Sequence, residues 1–291
     1  MKDFKVSVVI PAKNEADSIG RLVEALISSG LQEEVIVVDD GSSDLTGEIA
    51  LEKGAVVITN PYSKGNGAAI KAGARAAKGD VLVFMDADGQ HDPTDIPRLL
   101  DELSKGFDLV VGARQSGSQA TIGRGVANKF YNGLATYMTG HKVEDLTSGF
   151  RAVNRHKFLE FLNLLPNGFS YPTTSTMAFF RAGYSVGYVP IHAAKRKGQS
   201  HIRPIKDGIR FLLIIFKIGT LYSPLKLFVP ISFFLFLLGA SYYGYTYFSF
   251  GRFTNMSALL FTTSLTIFLV GLVSEQITSL MYARGDQDDA R

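Results

Sequence analysis

The chain has 291 residues, a formal net charge of +3 and no cysteine. This length suits one large domain or two modest ones, and the near balance of charge argues against a nucleic-acid partner. Without cysteine, neither a disulfide framework nor a thiolate metal site can form. The N-terminal sequence MKDFKVSVVIPAKNE carries only a short apolar run and no small-residue cleavage site, so we expect no secretory signal there.

Residues 1 to about 115 alternate short β-branched runs with helical patterns. Strands are predicted at Val6–Ile10, Val35–Asp39, Val56–Thr59, Val81–Met85 and Leu109–Val111. Helices are predicted at Glu15–Ser29, Leu45–Lys53, Gly67–Ala77 and Asp95–Leu103. This alternation predicts right-handed βαβ units on a mostly parallel sheet, and the near-continuous apolar strands predict helices on both faces. From Arg114 to Pro204 the pattern is less regular, and no topology is assigned.

Candidate ligand-binding residues stand at or just beyond the ends of three of the predicted strands. They are Pro11, Ala12 and Glu15 after the first strand, Asp39 and Asp40 after the second, and Asp86 and Asp88 after the fourth. In parallel sheets of this kind, ligands bind beyond the carboxyl ends of the strands. We therefore expect one crevice lined by these side chains.

The segment DADGQHDP directly follows the apolar run VLVFM. In an extended segment residues i and i+2 point the same way, so Asp86 and Asp88 direct two carboxylates to one spot. Mg²⁺ and Mn²⁺ prefer oxygen ligands and keep positions open for phosphate oxygens. The pair predicts a divalent cation site, and a polar turn is the alternative interpretation.

Two other kinds of site are disfavoured. Gly65-Asn66-Gly67 begins a glycine pattern, but Ile70 stands where a dinucleotide-binding fingerprint needs a small residue. The histidines show no metal-ligand spacing.

The segment from Ile205 to Tyr222 combines a cationic stripe with an apolar remainder. At about 100° per residue, Lys206, Arg210 and Lys217 fall on one side of a helix. We expect an amphipathic helix over 205–223 that lies in a membrane interface, with an ordinary packed helix as the alternative.

Two uncharged runs follow, Leu227 to Phe250 and Thr254 to Ser274. At about 1.5 Å per residue each reaches roughly the 30 Å of a bilayer core. We predict a transmembrane hairpin over 224–283, with spans at about 227–250 and 254–276. The surplus of Lys and Arg before the first span predicts that both termini, including the tail 284–291, are cytoplasmic.

Three residues of the hairpin invite a closer interpretation. Glu275 either reaches the headgroups or has a functional role, because a carboxylate within hydrocarbon is costly. Ala240 and Gly244 offer a small-residue contact, within the hairpin or between subunits of a homo-oligomer.

The motifs VSVVIPAKNE, EVIVVDDGSSDLT, SKGNGAAIKAG and VLVFMDADGQHDP together resemble family 2 inverting glycosyltransferases of the GT-A fold. The resemblance covers residues 5 to about 200 and implies an α/β, Rossmann-like GT-A domain over 1–204. It implies a UDP- or GDP-linked sugar donor and a Mg²⁺ or Mn²⁺ ion. Asp86, Asp88 and Gln90 would then hold the metal. Donor-binding residues would be Pro11, Ala12, Glu15, Asp39, Asp40, Asp86, Ala87 and Asp88, with Lys64 and Gly65 as phosphate contacts or as a simple loop.

The chain has no Trp, so it lacks the RxxRW-type element of processive polysaccharide synthases. LTSGFRAVNR, the stretch KRKGQSHIRPIKDG and the hairpin instead look like polyprenyl-phosphate glycosyltransferases of the dolichol-phosphate mannose synthase type. The acceptor phosphate would meet Arg114, Arg151, Arg196 and Ser200. Lys195, Lys197, His201 and Arg203 surround Arg196, and this cluster has contact with anionic lipids as its alternative role. Arg114 and Arg151 have ion pairing within the protein as theirs.

A phosphate monoester is already anionic at neutral pH, since its second pKa lies near ~6. Positioning and charge neutralisation should then outweigh general-base catalysis. Asp145 is the candidate base or orienting carboxylate, and Asp86, Asp88 and Arg196 complete the predicted catalytic set. We expect a membrane enzyme that moves one sugar to a polyprenyl phosphate on the cytoplasmic face. The alternatives are another lipid, a polysaccharide primer, or a non-catalytic nucleotide-sugar-binding scaffold.

Overall fold

The structure, a computed structural model, describes residues 4–114, 122–168, 170–192 and 219–283. The chain divides into two units, Met1–Ser200 and His201–Arg291. The first is an α/β unit, and the second holds two long apolar helices. The predicted tail 284–291 and most of the predicted interfacial helix, through residue 218, lie outside the described residues.

A seven-stranded sheet forms the centre of the first unit. Its strands are β1 (Val6–Ala12), β2 (Glu34–Asp39), β3 (Val56–Thr59), β4 (Val81–Phe84), β5 (Leu109–Arg114), β6 (Arg151–Asn154) and β7 (Val186–Ile191). They lie in the order β3-β2-β1-β4-β6-β5-β7. Strand β6 runs antiparallel to β4 and β5, and all other neighbours are parallel. The predicted mostly parallel sheet is confirmed.

The helices of the first unit are α1 (Ala16–Ser29), α2 (Thr46–Glu52), α3 (Asn66–Ala76), α4 (Ile96–Ser104), α5 (Ile122–Thr139), α6 (Arg155–Glu160) and α7 (Tyr171–Arg181). Every strand and helix predicted before residue 115 is present, with ends shifted by a few residues. The structure adds α5, β6, α6, α7 and β7 in the region without a predicted topology.

Helices cover both faces of the sheet, as the apolar strands predicted. On one face, Val8 of β1 packs with Val23 of α1 in a single buried cluster. On the other face α3 approaches closely because Gly73 has no side chain. A Cβ there would stand 2.3 Å from Val9 Cγ1 and 3.2 Å from Val38 Cγ2. This packing leaves the carboxyl ends of β1, β2 and β4 side by side.

The second unit is a hairpin of α8 (Pro224–Phe250) and α9 (Asn255–Ala283). Gly251 ends α8 with a φ of 64°, a left-handed conformation that glycine adopts without strain. Both helices are long and apolar enough to cross a bilayer, and few of their residues are buried in protein. A core helix of a soluble domain would be mostly buried, so this exposure favours a lipid environment.

Glycines and serines set the contact between α8 and α9. A Cβ on Gly271 would stand 2.7 Å from Phe228 Cβ, and one on Gly239 would stand 3.1 Å from a side-chain atom of Leu260. Ser232 and Ser264 each donate to the other's backbone carbonyl, at 2.9 and 2.8 Å. These reciprocal bonds satisfy both hydroxyls inside an apolar hairpin.

The predicted small-residue contact is not the one that the hairpin uses. A Cβ on Gly244 would meet no atom within 4 Å. Gly244 therefore does not bring α8 and α9 together, and a role for Ala240 and Gly244 between subunits stays a prediction.

Glu275 lies opposite the start of α8. Its Oε2 accepts a hydrogen bond from the backbone N–H of Leu225 at 3.3 Å. Ser223, the residue before α8, makes no capping bond with its side chain. Glu275 thus supplies an acceptor to a helix N-terminus, where backbone N–H groups lack partners within the helix.

Candidate active site

The residues predicted to line a crevice lie where three adjacent strands end. Ala12 at the end of β1 is in register with Asp39 at the end of β2. The backbone N–H of Asp40 continues this pairing with a 2.9 Å bond to the carbonyl of Ala12. Asp86 follows β4, the other neighbour of β1. The structure therefore brings these predicted residues to one edge of the sheet.

Asp86 and Asp88 lie in a turn just beyond β4. The Asp86 side chain is 36% exposed, Asp88 is also partly exposed, and Ala87 between them is buried. The backbone N–H of Gln90 donates to Asp88 Oδ1 at 3.1 Å. The turn thus keeps both carboxylates partly open to solvent and places Gln90 beside them.

This turn has the ligand chemistry of a site for a hard divalent cation. Two carboxylates and one amide oxygen can be offered by Asp86, Asp88 and Gln90. No group of three or more His, Cys, Asp or Glu side chains converges among the described residues. A cation held here would complete its coordination with ligand oxygens or water, as Mg²⁺ commonly does when it binds together with phosphates.

Gly149 packs directly against Asp86, a contact that sequence reasoning missed. A Cβ on Gly149 would stand 2.6 Å from Asp86 Oδ2 and 3.1 Å from its Cγ. The hydroxyl of Tyr171 donates a hydrogen bond to the carbonyl of Gly149 at 3.0 Å. Burial raises the pKa of Tyr171, so the phenol stays protonated and keeps this bond. The glycine and its hydrogen bond form a fixed wall beside the carboxylate.

Arg151, a predicted acceptor contact, is 0% exposed. Its Nη1 donates to the carbonyl of Pro172 at 2.9 Å and to Ser175 Oγ at 2.8 Å, and its Nη2 donates to the carbonyl of Ser148. Burial lowers the pKa of this guanidinium. The side chain fixes the start of α7 to the segment that carries Gly149. This geometry fits a structural role through neutral acceptors, which differs from both sequence interpretations of Arg151, a phosphate contact and an ion pair.

Asp145 and Arg114 form a two-point ion pair. Arg114 Nε donates to Asp145 Oδ2 at 2.8 Å, and an Nη donates to Oδ1 at 3.0 Å. Burial by itself would raise the pKa of Asp145, but the hydrogen bonds and charge of Arg114 lower it below its ordinary value. A buried carboxylate with a lowered pKa is a weak base, so the geometry suits the orienting role better. The ion pairing that the sequence left as the alternative for Arg114 is present, and because the side chain stays partly exposed its contact with a phosphate stays a prediction.

Asp40 organises the loop before α3. Only 4% exposed, it accepts hydrogen bonds from Asn60 Nδ2 at 2.9 Å, Ser63 Oγ at 2.7 Å and the backbone N–H groups of Lys64 and Gly65 at 2.8 Å each. Burial opposes ionisation, but these bonds outweigh it and lower the pKa of Asp40. The carboxylate therefore acts first on its own loop and shapes the wall of the crevice.

The N-terminus of α3 is engaged by protein atoms. Gly67 N–H donates to the carbonyl of Gly168 at 3.2 Å, and Ala68 N–H donates to that of Asn167 at 2.9 Å. Together with the two N–H groups bound to Asp40, these donors are not available to a phosphate. The backbone of Lys64 and Gly65 therefore forms a simple loop and does not bind phosphate. Phosphate contact by the Lys64 side chain stays a prediction.

The remaining donor residues lie around the ends of β1 and β2. Asp39 is 6% exposed, and its Oδ1 accepts from the backbone N–H of Ser42 at 2.9 Å. Pro11 and Glu15 are partly exposed at the same edge. Their roles in binding a base and a ribose stay predictions. Arg196 and Ser200, with their neighbours Lys195, Lys197, His201 and Arg203, lie outside the described residues.

Two family models match the chain. The model described as Glycosyl transferase family 2 matches residues 7–162, and the model described as GtrB C-terminal hairpin matches residues 223–280. Each unit therefore has its own match.

Similar proteins include transferases with polyprenyl-phosphate names. Undecaprenyl-phosphate 4-deoxy-4-formamido-L-arabinose transferase from Edwardsiella ictaluri is 34% identical over 69% of this chain and 65% of its own. Glycosyltransferase AglJ from Haloferax volcanii is 29% identical over 78% of this chain and 76% of its own. Across the arabinose transferases, the match covers 49% to 65% of their length.

A solved structure shares the fold of the first unit. Glucosyl-3-phosphoglycerate synthase from Mycobacterium tuberculosis, in complex with Mn²⁺, uridine diphosphate and phosphoglyceric acid, has a TM-score of 0.57 and 26% identity. The match covers 73% of this chain and 78% of that one. The predicted fold class, a GT-A α/β domain followed by an apolar hairpin, is confirmed.

Proposed function

This chain belongs to glycosyltransferase family 2, and from that premise we propose that it transfers one sugar, with inversion, from a nucleotide-diphospho-sugar to a polyprenyl phosphate. One observation carries the proposal: two partly open carboxylates, Asp86 and Asp88, lie just beyond a central strand in a chain that also has an apolar hairpin. Relatives whose names include undecaprenyl phosphate support the lipid acceptor.

Asp86, Asp88 and Gln90 are the residues proposed to hold Mg²⁺ or Mn²⁺ against the donor diphosphate. Held by these side chains, the ion would supply Lewis-acid stabilisation of the charge that develops on the departing nucleoside diphosphate. Asp39, Pro11 and the loop shaped by Asp40 are proposed to line the pocket for base and ribose. A matching structure crystallised with Mn²⁺ and uridine diphosphate supports this donor class.

The transfer exchanges one carbon–oxygen bond for another. A phosphate oxygen of the acceptor bonds to the anomeric carbon, and the bond from that carbon to the diphosphate breaks. The electron pair leaves with the nucleoside diphosphate. Because the acceptor oxygen is already anionic near neutral pH, no proton has to be removed from it.

Charge placement can therefore replace a strong general base. Asp145 is proposed to orient Arg114, whose guanidinium is held at two points and remains partly exposed. Burial opposes the charge of Arg114, but the hydrogen bonds and charge of Asp145 raise its pKa, so it stays cationic beside an incoming phosphate. Arg196 and Ser200 are proposed to complete the phosphate contacts.

A membrane-bound acceptor calls for a membrane-bound enzyme. Each CH₂ of a polyprenyl chain favours the bilayer by about 0.8 kcal/mol, so the lipid cannot leave it to reach a soluble site. The hairpin is proposed to anchor the chain, with an interfacial helix over 205–223 and both termini on the cytoplasmic side. Contact between hairpins of two subunits is part of the same proposal.

The test uses the full-length protein in detergent with radiolabelled UDP- and GDP-sugars. Undecaprenyl phosphate and diacylglycerol are supplied as acceptors in parallel reactions with Mn²⁺. We expect label to move into the organic phase with the polyprenyl phosphate and one donor. Asp86→Ala and Asp88→Ala should abolish transfer, while Asp101→Ala, which removes an exposed carboxylate of α4, should not.

Each other outcome has a definite meaning. Label on diacylglycerol alone would show that the acceptor is wrong while the enzyme class is right. Donor binding without turnover, for every sugar and both acceptors, would leave the non-catalytic scaffold. Full activity of Asp86→Ala would refute the metal site.

A further inference from the structure

His91 is a buried imidazole beside the carboxylate of Asp86. Its side chain is 4% exposed, and its Nε2 lies 3.7 Å from Asp86 Oδ2. The ring stacks on Phe150, with centroids 5.1 Å apart and an angle of 20° between the planes. An aromatic neighbour therefore fixes the orientation of the ring, and one edge of the imidazole faces the carboxylate.

The other nitrogen of this ring has no compensation. His91 Nδ1 is buried without a hydrogen-bond partner among the described residues. A polar atom buried in this way is unfavourable, and an apolar ring of the same size would avoid the penalty. Packing on Phe150 alone thus does not account for an imidazole at this position. The contact with Asp86 is the interaction that an apolar ring could not make.

Asp86 lies between Gly149 and His91. On one side Gly149 leaves just enough room for Oδ2, the same oxygen that faces His91. In the part of the chain that the structure describes, His91 is the side chain within ion-pairing distance of Asp86. The wall at Gly149 stops the carboxylate from moving one way, and the imidazole is placed to hold it there.

We propose that His91 is a positioning residue, whose Nε2 holds the Asp86 carboxylate in the orientation that binds the divalent cation. The proposal rests on the proposed function, since it takes Asp86 to be a metal ligand. Side chains that orient metal ligands in this way commonly contribute about 10- to 100-fold to metal affinity. His91 would act through Asp86 and would not touch the donor.

Three substitutions of His91 separate its packing from its nitrogen. His91→Phe keeps a flat ring on Phe150 but has no Nε2. His91→Gln places an amide nitrogen near the Nε2 position, whereas the shorter His91→Asn reaches only the Nδ1 position. A matched control is His141→Phe, because the exposed His141 also stacks on an aromatic ring, Phe180, at 5.3 Å and 7°.

The measurement is Mn²⁺ affinity of the full-length protein in detergent, by electron paramagnetic resonance of free Mn²⁺ without donor. We expect His91→Phe and His91→Asn to bind Mn²⁺ about 10- to 100-fold more weakly than wild type. His91→Gln should bind close to wild type, and His141→Phe should match it. Thermal unfolding identifies any variant that has lost its fold. If His91→Phe has lost its fold, the difference in Mn²⁺ affinity between His91→Gln and His91→Asn tests the role of Nε2.

Wild-type affinity in His91→Phe, or equal affinities for the Gln and Asn variants, would refute the role of His91 and leave the metal site standing. If the wild type binds no Mn²⁺, or if Asp86→Ala binds as tightly as wild type, the metal site itself fails and the role of His91 fails with it.

Discussion

Replacing Gly149 by alanine tests whether the wall beside Asp86 is needed for activity. The new Cβ would stand 2.6 Å from Asp86 Oδ2. An ordinary contact needs about 3.5 Å, so the carboxylate must shift by about 1 Å. A misplacement of about 1 Å in a catalytic group costs about 100-fold in rate. Because Asp86 is partly exposed and can move outward, the stability loss should stay near the low end of about 1–3 kcal/mol for overpacking.

The assay compares kcat/KM for sugar transfer with the free energy of unfolding in urea. We expect Gly149→Ala to lose about 100-fold in kcat/KM while remaining folded at the assay temperature. Gly133→Ala in α5 is the matched control, because a Cβ there meets no atom within 4 Å. A Gly149→Ala protein with wild-type kcat/KM would refute the steric reasoning. So would an activity loss that merely follows the unfolded fraction.

Three further predictions address other parts of the molecule. Asp145→Asn should leave measurable transfer. It should also remove a contribution of the ionised carboxylate to the free energy of unfolding. That contribution is complete above the pKa of Asp in the unfolded chain, about 3.9, and fades as the pH falls toward the lowered pKa of the folded protein. The free energies of unfolding of the wild type and Asp145→Asn, measured in urea between pH 7 and 3, should therefore converge at low pH. A difference that stays constant with pH would contradict this. Asp40→Ala should raise the KM for the donor more than it lowers kcat, because four hydrogen bonds to its loop are lost; a change in kcat alone would count against it. Ser232→Ala and Ser264→Ala in bicelles should each lower the stability of the hairpin by about 0.6 kcal/mol, because each removes one of the two reciprocal bonds, and no loss from either would contradict their role in the helix contact.

The elements that could be predicted from the sequence are those with a simple period. Strands β1 to β5 are near-continuous apolar runs between amphipathic helices, and that pattern indicates a covered parallel sheet by itself. Strand β6 begins with Arg151, which is fully buried in the structure and donates hydrogen bonds to α7 and to the carbonyl of Ser148. A charged residue in a sequence pattern indicates solvent exposure when the residues that bind it in the interior lie far away in the chain. For this reason neither β6 nor the role of Arg151 was predicted.

The candidate site divides in the same way. Asp86 and Asp88 stand in one short motif, so their chemistry could be inferred from spacing. The wall at Gly149 and the imidazole of His91 act on Asp86 through tertiary contact. Their function is set by distances that the fold creates, and a glycine or a lone histidine carries no local pattern for it. Asp40 was assigned to the donor pocket, but four donors from a later loop already occupy its carboxylate.

The carboxylate of Asp40 anchors the loop before α3. It accepts hydrogen bonds from the main chain at Lys64 and Gly65 and from two small polar side chains. The Tyr62 side chain, in contrast, is 67% exposed and makes none of these four hydrogen bonds. The groups that hold the backbone of this loop are therefore distinct from the side chains that it exposes. Substitutions of the Tyr62 and Lys64 side chains can therefore change the surface chemistry of this loop while its backbone keeps the same path.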